Sequence, residues 1–363
     1  MKYDERELII IWLDSFKDIE YKHKRALYEM LVGKTDLKRN IEINGKFVKD
    51  ALGEAGYNLL LNSANQEYLK DTVLQLNAAG ETAITLESEL YPEKLKETPD
   101  PPLSLYARGN LELLSGEIFG IVGSRKSLPL SLSVAKDFSS ELVKHGFVVA
   151  TGTAEGVDAE VIKAALNSGN IIAVVAGGLN NVYPASNAAL IEDVAKRGLV
   201  ISEYRENVKP MPYFFPVRNR IIAGLSTGVL VVSGRLKSGT MHTAEYCIDY
   251  GRDLFAVPYS IGIESGAGTN ALIKRGAYLA DSPKDILSFY GIEEEKQEET
   301  IFSDTEREIV LSLKDGALHI EKIAERTGRP VYEITSALTM LEIKGVVAKN
   351  GINTYGLVRN LEI

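Results

Sequence analysis

Short apolar runs alternate with amphipathic segments through the middle of the chain. Six of these runs have the length and composition expected of strands buried on both faces: 118–122, 147–150, 171–176, 199–202, 229–232 and 254–257. After the first run, Leu132, Ala135, Phe138 and Leu142 recur at helical spacing, with charged residues between them. Because this alternation continues to about residue 290, it predicts an α/β fold, in which a parallel, doubly wound sheet carries helices on both faces.

Two regions precede the alternating part. Residues 1–76 carry apolar residues at helical spacing and predict a separate N-terminal helical domain of the SAM or helix-hairpin-helix type. A basic run at 22–25 could contact a nucleic-acid backbone or could be a solvated helix face. Residues 77–116 form a connector with two short strands, 82–86 and 103–107, and open a sheet domain that we expect to cover 77–291.

The last part of the chain has a different pattern. An acidic linker over 292–300 leads into residues 301–363, where three helical segments precede two short strands that turn at Asn350-Gly351. Three helices and a hairpin predict a winged-helix domain. The polar positions of the third helix do not form a basic face, so a protein is at least as compatible a partner for it as DNA.

Composition places the chain among globular proteins. Of its 363 residues, 45% are hydrophobic and 25% are charged, and the formal net charge is −9. This balance disfavours nucleic-acid binding over the whole surface but allows a local basic groove. The single cysteine, Cys247, excludes an internal disulfide framework and a cysteine-cluster zinc site. We see neither a signal peptide nor an apolar run of membrane-spanning length, and therefore expect a cytoplasmic protein.

Glycines and basic residues gather where the predicted strands end. The glycines are Gly123, Gly152, Gly177, Gly178, Gly234 and Gly239, and the cations near them are Arg125, Lys126, Arg218, Arg220, Arg235 and Lys237. The carboxyl ends of parallel strands share one edge of the sheet, where ligands of such folds bind. Since backbone N–H groups and arginines suit phosphate oxygens, the pattern favours an anion site over a set of ordinary turns.

Two further segments bear on the ligand. The segment 214–220 reads F-F-P-V-R-N-R and is predicted to be turn-like; its aromatics could stack on bases and its arginines could bind phosphates, as in single-strand binding. Alternatively, Phe214 and Phe215 belong to the core and the arginines pair with carboxylates. Ser238-Gly239-Thr240 precedes a predicted helix and could present donors to a phosphate or only cap that helix.

No catalytic set is recognisable. The four histidines lack the spacing of metal ligands, and the chain has neither a nucleophile elbow nor a Walker-type phosphate loop. The turn after the run at 118–122 lacks the G-x-G-x-x-G pattern, which disfavours a dinucleotide cofactor. We assign Asp158 and Glu245, near the proposed edge, to helix capping or arginine pairing. The prediction is therefore no enzyme, no metal and no cofactor.

Taken together, the motifs resemble the DNA-processing protein A family, also called DprA or Smf. The run F-P-V-R-N-R-I-I-A-G-L-S at 215–226 is highly specific to it, and further matches lie at 121–125, 151–158, 183–184, 201–203, 238–240 and 255–258. The resemblance implies an extended Rossmann-like domain between an N-terminal helical and a C-terminal winged-helix domain. It also implies a homodimer that binds single-stranded DNA without sequence preference, protects incoming DNA and helps to load the RecA recombinase in natural transformation.

Carrying the family motifs over by position, and adding the residues identified above, gives the predicted DNA- and phosphate-binding set. Its members are Gly123, Ser124, Arg125, Lys126, Gly152, Arg218, Asn219, Arg220, Ser238, Gly239 and Thr240. The chain departs from the family pattern nearby. Glu155 is acidic, Val161-Ile162 replaces a usual Ala-His, Asn180-Asn181 stands where a lysine is frequent, Ser233-Gly234 replaces Glu-Ala, and Tyr259 replaces Gly. Two of these changes remove cations, so we expect weaker DNA binding.

A second class of function stays open at this point. The same Rossmann-like superfamily contains small enzymes that hydrolyse nucleotide conjugates and carry a G-T-x-x-E motif. Gly239-Thr240 is present here, but Glu245 lies too far along the chain to complete that motif. A Rossmann-like nucleotide-binding protein or nucleotide-conjugate hydrolase is therefore the alternative, and an interaction scaffold with its arginines in salt bridges is a third reading.

Overall fold

The computed structural model describes residues 3–16, 19–292, 302–314 and 316–358. The chain divides into two compact units, with the division after Ile292. Of the predicted acidic linker, only Ile292 lies within the described residues. We call residues 3–292 the N-terminal unit and residues 302–358 the C-terminal unit, and describe each by itself.

Helices open the N-terminal unit. They are α1 (Glu5–Asp14), α2 (Tyr21–Leu31), α3 (Leu37–Ile43), α4 (Gly45–Ser63) and α5 (Gln66–Ala78). Their apolar faces close around Trp12, which is fully buried and donates its indole N–H to Ser63 Oγ at 3.1 Å. The helices also join the rest of the unit, because Ile11 packs into the core of the sheet domain and the Tyr3 hydroxyl accepts the N–H of Ala83 at 3.0 Å.

A nine-stranded sheet forms the centre of the N-terminal unit, in the order β1-β2-β6-β5-β4-β3-β7-β8-β9. The strands are β1 (Thr82–Thr85), β2 (Ser104–Gly109), β3 (Ile118–Val122), β4 (Val148–Thr151), β5 (Ile171–Val174), β6 (Leu199–Ser202), β7 (Gly228–Val231), β8 (Asp253–Ala256) and β9 (Tyr278–Leu279). The seven neighbouring strands β6-β5-β4-β3-β7-β8-β9 all pair in the parallel sense, which confirms the predicted α/β class.

The two connector strands differ from the parallel pattern. β1 pairs with β2, and β2 with β6, in the antiparallel sense. Antiparallel neighbours need no crossover helix, so the connector extends the sheet with a mixed edge.

Helices cover both faces of the sheet. They are α6 (Glu93–Lys96), α7 (Pro129–Lys144), α8 (Val157–Ala165), α9 (Ala188–Arg197), α10 (Phe214–Leu225), α11 (Gly239–Asp249), α12 (Ala267–Lys274) and α13 (Pro283–Phe289). Successive residues of β3 alternate between two cores: Phe119 and Ile121 enter one, and Ile118 and Val122 the other. This burial on both faces explains the uninterrupted apolar run.

The C-terminal unit has its own core. Its elements are α14 (Asp304–Ser312), β10 (Leu318–His319), α15 (Ile320–Thr327), α16 (Val331–Ile343), β11 (Val347–Gly351) and β12 (Thr354–Leu357). The strands pair antiparallel in the order β10-β12-β11. Three helices and this small sheet are the predicted winged-helix arrangement.

Candidate nucleic-acid interface

A cleft of about 780 Å³ lies at the carboxyl end of β3, between the loop that follows this strand and the first turns of α10 and α11. Nine of the eleven predicted site residues line it: Gly123, Ser124, Arg125, Lys126, Arg218, Asn219, Ser238, Gly239 and Thr240. Gly152 and Arg220 are not in the lining. The charged side chains of the lining are four cations, Arg125, Lys126, Arg218 and Arg235, and one carboxylate, Asp158. The cleft is thus basic in a chain whose net charge is −9.

The loop 123–128 forms one wall of the cleft, between the end of β3 and the start of α7. It packs tightly against the N-terminus of α8, since a Cβ at Gly123 would lie 2.5 Å from the side chain of Val157. Gly156 has φ +80° and passes so close to the loop that a Cβ there would meet the carbonyl of Arg125 at 2.5 Å. Glycine is therefore required at 156, both for the backbone angle and for the space.

Backbone donors of this loop are only partly available. The N–H of Ser124 donates to Ser233 Oγ at 3.2 Å, so it already has a partner. The N–H groups of Arg125 and Lys126 donate to no other group in the part of the chain that the structure describes. These two amides, unlike that of Ser124, are donors that the loop can offer to an anion.

The Arg125 side chain is exposed and lies over the ring of Phe215, 5.1 Å from its centroid. Phe215 in turn meets Tyr183 edge to face at 5.6 Å, and Tyr183 is 51% exposed. Within the described residues, neither Arg125 nor Lys126 forms an ion pair. A guanidinium held on an aromatic face keeps its donors free for phosphate oxygens, and the ring beside it can contact a base.

Asp158 and Arg218 are buried residues of the cleft lining, and both lie next to the Cβ position of Gly152. Asp158 accepts the N–H of Ala154 at 3.2 Å, and Arg218 donates to the carbonyl of Val174 and to Asn219 Oδ1. Burial raises the pKa of Asp158 and lowers the pKa of Arg218 to about 10, so Arg218 remains protonated at neutral pH. Gly152 thus supplies space for two charged side chains.

Arg220 points away from the cleft. It is 4% exposed, donates to Glu203 and to the carbonyl of Asp100, and lies 3.4 Å from the carboxylate of Asp100. These contacts match the alternative in which an arginine of the 214–220 segment pairs with carboxylates. The segment 214–220 is not a turn but the first part of helix α10. The helix tolerates Pro216 because the N–H groups at the start of a helix have no partner within it, so the missing N–H of proline costs no hydrogen bond.

The N-terminus of α11 faces the cleft opposite the loop 123–128. Ser238 is its N-cap, but its hydroxyl does not cap the helix and has no partner among the described residues. Asn219 fixes this turn by donating to the carbonyl of Gly239 at 3.2 Å. The first amides of a helix carry a partial positive charge, so this turn adds a second group of donors to the cleft.

Further aromatic side chains lie at the start of α10, next in sequence to the lining residues Pro212 and Phe215. Phe214 stacks on Tyr204 at 4.1 Å and meets Tyr213 edge to face at 4.7 Å, so it is partly enclosed. Tyr213 and Tyr183 are more than half exposed and are the rings that a base can reach. Sequence reasoning did not assign Tyr183 to the site, although its position in the loop after β5, before Pro184, placed it at the edge where ligands bind.

The departures from the family pattern have different consequences. Ile162 is fully buried in the core and lies outside the cleft lining. Glu155 is exposed and accepts a hydrogen bond from Ser186 at 2.8 Å, and Asn181 donates to the carbonyl of Glu206 at 3.1 Å. None of the three lines the cleft.

The described residues contain no group of three histidine, cysteine, aspartate or glutamate side chains arranged to hold a metal ion. Over the same residues, no helix is both long and apolar enough to span a bilayer.

Known proteins match both units. A family model described as DNA recombination-mediator protein A matches residues 82–291, and one described as DprA winged helix domain matches residues 293–350. Protein Smf of Escherichia coli is 35% identical over 278 residues, which cover 73% of this chain and 74% of Smf. DNA processing protein DprA of Bacillus subtilis is 39% identical over 210 residues, 57% of this chain and 71% of that protein.

Two solved structures share the fold. DprA of Streptococcus pneumoniae superposes with a TM-score of 0.57 at 30% identity, covering 73% of this chain and 96% of that one. DprA of Helicobacter pylori, described for its single-stranded DNA binding mode, gives 0.54 at 30% identity, covering 58% and 95%. Fold and cleft together define a Rossmann-like α/β protein with a basic site at the carboxyl ends of its parallel strands. The chain belongs to the DprA/Smf family of DNA-processing proteins.

Proposed function

We propose that this protein binds single-stranded DNA without sequence preference, with the strand lying in the cleft between the loop 123–128 and the N-terminus of α11. The observation that carries the proposal is the charge of the lining, four cations against one buried carboxylate, in an otherwise acidic chain. Phosphate contacts dominate the affinity for nucleic acids and carry no sequence information. A relative of the same fold, from Helicobacter pylori, is described as binding single-stranded DNA, which supports this choice of ligand.

Phosphates are bound from two sides in this proposal. Arg125, with the amides of Arg125 and Lys126, contacts one phosphate, and the first turn of α11 at Ser238–Thr240 contacts another. Arg218 neutralises charge from the base of the cleft. Tyr183 and Tyr213 offer exposed rings for base stacking, which tolerates any base. Binding of this kind requires no covalent step and no cofactor.

The wider role follows from the family. We infer that the protein protects incoming single-stranded DNA, acts as a homodimer and helps to load the RecA recombinase during natural transformation and recombination, in the cytoplasm. Membership of the DprA/Smf family supports this inference. The cleft is proposed as the site for DNA only. No surface is assigned here to RecA or to the second protomer.

The first test is fluorescence anisotropy with labelled oligo-dT at low and moderate salt, on the full chain and on Arg125→Ala. One lost phosphate contact should weaken binding of any sequence by a similar factor and reduce the salt slope by about 0.7. Arg197→Ala is the matched control, because Arg197 is also exposed but ends α9 just before β6, at the amino ends of the parallel strands.

Three outcomes of this experiment are distinguishable. Salt-sensitive binding that Arg125→Ala weakens and Arg197→Ala preserves would support the cleft as the DNA site. A loss confined to certain sequences would contradict the backbone model, because a phosphate contact does not read bases. No binding even at low salt would overturn the proposal, and a screen of mononucleotides would then test the nucleotide-binding alternative.

A further inference from the structure

Three serines close a ring of hydrogen bonds around the loop 123–128. Ser127 Oγ donates its single proton to the carbonyl of Ser124 at 2.7 Å. Ser127 Oγ also lies 3.4 Å from Ser233 Oγ, and since its proton is already used, Ser233 must be the donor in this contact. Ser233 Oγ in turn accepts the N–H of Ser124 at 3.2 Å. Every donor in the ring has an acceptor, and Ser233, which is fully buried, is its only member from outside the loop.

A tyrosine fastens the other end of the loop. The Tyr259 hydroxyl donates to the carbonyl of Val232 at 3.0 Å, so in its 2.8 Å contact with Ser131 the serine is the donor. Ser131 is fully buried in the first turn of α7, directly after the loop. Asn270 fixes Tyr259 itself, because its amide group bonds both the N–H and the carbonyl of that residue.

The two sets of bonds meet at the end of β7. Val232 and Ser233 are consecutive, and through them β7 holds the start of the loop at Ser124 and the start of α7 at Ser131. Between these anchors lie Arg125 and Lys126, whose side chains are exposed and whose amides have no partner in the described part of the chain. The fixed residues thus enclose the groups that face the cleft.

We propose that Ser233 and Tyr259 are positioning residues for the DNA site: they hold the loop 123–128 in the shape that presents Arg125 and the amides of Arg125 and Lys126 to a phosphate. The inference rests on the proposed function. A loop ordered before binding loses less conformational entropy when the ligand arrives, so these two residues raise affinity without touching DNA.

The test compares hydroxyl deletions with matched controls in the full chain. Ser233→Ala and Tyr259→Phe each remove the hydroxyl at the centre of one set of these hydrogen bonds. Ser131→Ala removes only the bond between Ser131 and Tyr259. Tyr250→Phe is the control for the tyrosine. The Tyr250 hydroxyl forms a 2.8 Å hydrogen bond with Asp100, which does not belong to the loop. Ser139→Ala is the control on α7, where a fully buried hydroxyl donates to the carbonyl of Val161 at 3.0 Å. Amide hydrogen exchange over 123–128, oligo-dT affinity and thermal unfolding are measured for each.

We expect Tyr259→Phe and Ser233→Ala to speed amide exchange in the loop and to raise the Kd for oligo-dT, each by about three- to tenfold. Tyr250→Phe and Ser139→Ala should leave both quantities unchanged, even where they lower the melting temperature. Unchanged exchange in the loop would overturn the proposal, as would faster exchange with unchanged affinity. If the unaltered protein binds no DNA, the proposed function fails instead. Amide hydrogen exchange then decides by itself whether Ser233 and Tyr259 hold the loop in one shape.

Discussion

At Gly152 the backbone passes beneath two buried charges, and a single methyl group would disturb both. A Cβ at this position would lie 2.6 Å from Arg218 Nη2 and closer still to Asp158 Oδ2. We expect Gly152→Ala to lower the free energy of unfolding by about 1–3 kcal/mol, as overpacking does, and to weaken DNA binding by displacing Arg218. Chemical denaturation measures the first effect. Gly239→Ala is the stability control, because a Cβ there meets nothing within 4 Å; equal stability of the two variants would contradict the packing described.

Glu81 should make the folding stability of the protein depend on pH. Its side chain is fully buried and lies 3.4 Å from Arg108, and burial raises its pKa from 4.5 to about 7 despite this cation. Between these two values the unfolded chain has released the proton and the folded chain still holds it, so folding stability falls as the pH rises. The difference of about 2.5 pH units corresponds to about 3 kcal/mol.

The measurement compares the unaltered protein with Glu81→Gln by chemical denaturation from pH 4.5 to 8. The variant has no group that titrates at this position, so its stability relative to the unaltered protein should increase across this range and level off above about pH 7. A constant difference would mean that Glu81 has an ordinary pKa in the folded state.

Sequence reasoning identified residue types at this scale but not their partners. Arg218 and Arg220 stand two positions apart and were predicted to act together, yet only Arg218 lines the cleft. Residues two positions apart on a helix point in different directions, and the carboxylates that bind Arg220 come from distant parts of the chain. Burial of an arginine depends on such long-range contacts, which local periodicity does not contain.

At the scale of elements, Arg220 anchors α10 to the end of β6. Arg220→Ala leaves Glu203, whose side chain is only 15% exposed, without its cation, a change that costs about 3 kcal/mol in a fully buried pair. We therefore expect Arg220→Ala to unfold at much lower denaturant concentration than Arg125→Ala, while Arg125→Ala alone changes the salt slope of DNA binding. If Arg220→Ala keeps full stability and loses DNA affinity, the side chain contacts the strand, as the sequence first indicated.

The elements themselves were largely predictable. Strands buried on both faces have apolar runs that stand out without an alignment, and the alternation with helices determines their parallel sense. The antiparallel edge was not predicted, because the prolines between β1 and β2 indicated a connector. The segment 214–220 was predicted to be turn-like, since aromatic residues and proline are weak helix formers, but it belongs to a helix whose core residues lie further along, at Ile221, Ile222 and Leu225.

At the scale of the whole molecule, the two units make separate predictions. The third helix of the C-terminal unit, α16, carries two glutamates and no lysine or arginine, so it offers no cation to a DNA phosphate. We expect residues 1–292 alone to bind oligo-dT with a Kd within about twofold of that of the full chain, as measured by anisotropy. A loss of tenfold or more would assign part of the DNA site to the C-terminal unit.

The mixed edge of the sheet has a consequence for synthesis of the chain. β2 ends at Gly109, and its partner β6 begins at Leu199, about 90 residues later. At about 5–20 residues per second, a ribosome needs about 5–20 s to cover that distance. During this interval the first five helices and the β1–β2 ribbon have been made, but the ribbon has no neighbour on its inner side. The nascent chain therefore presents an open strand edge at the stage when chaperones have access to it.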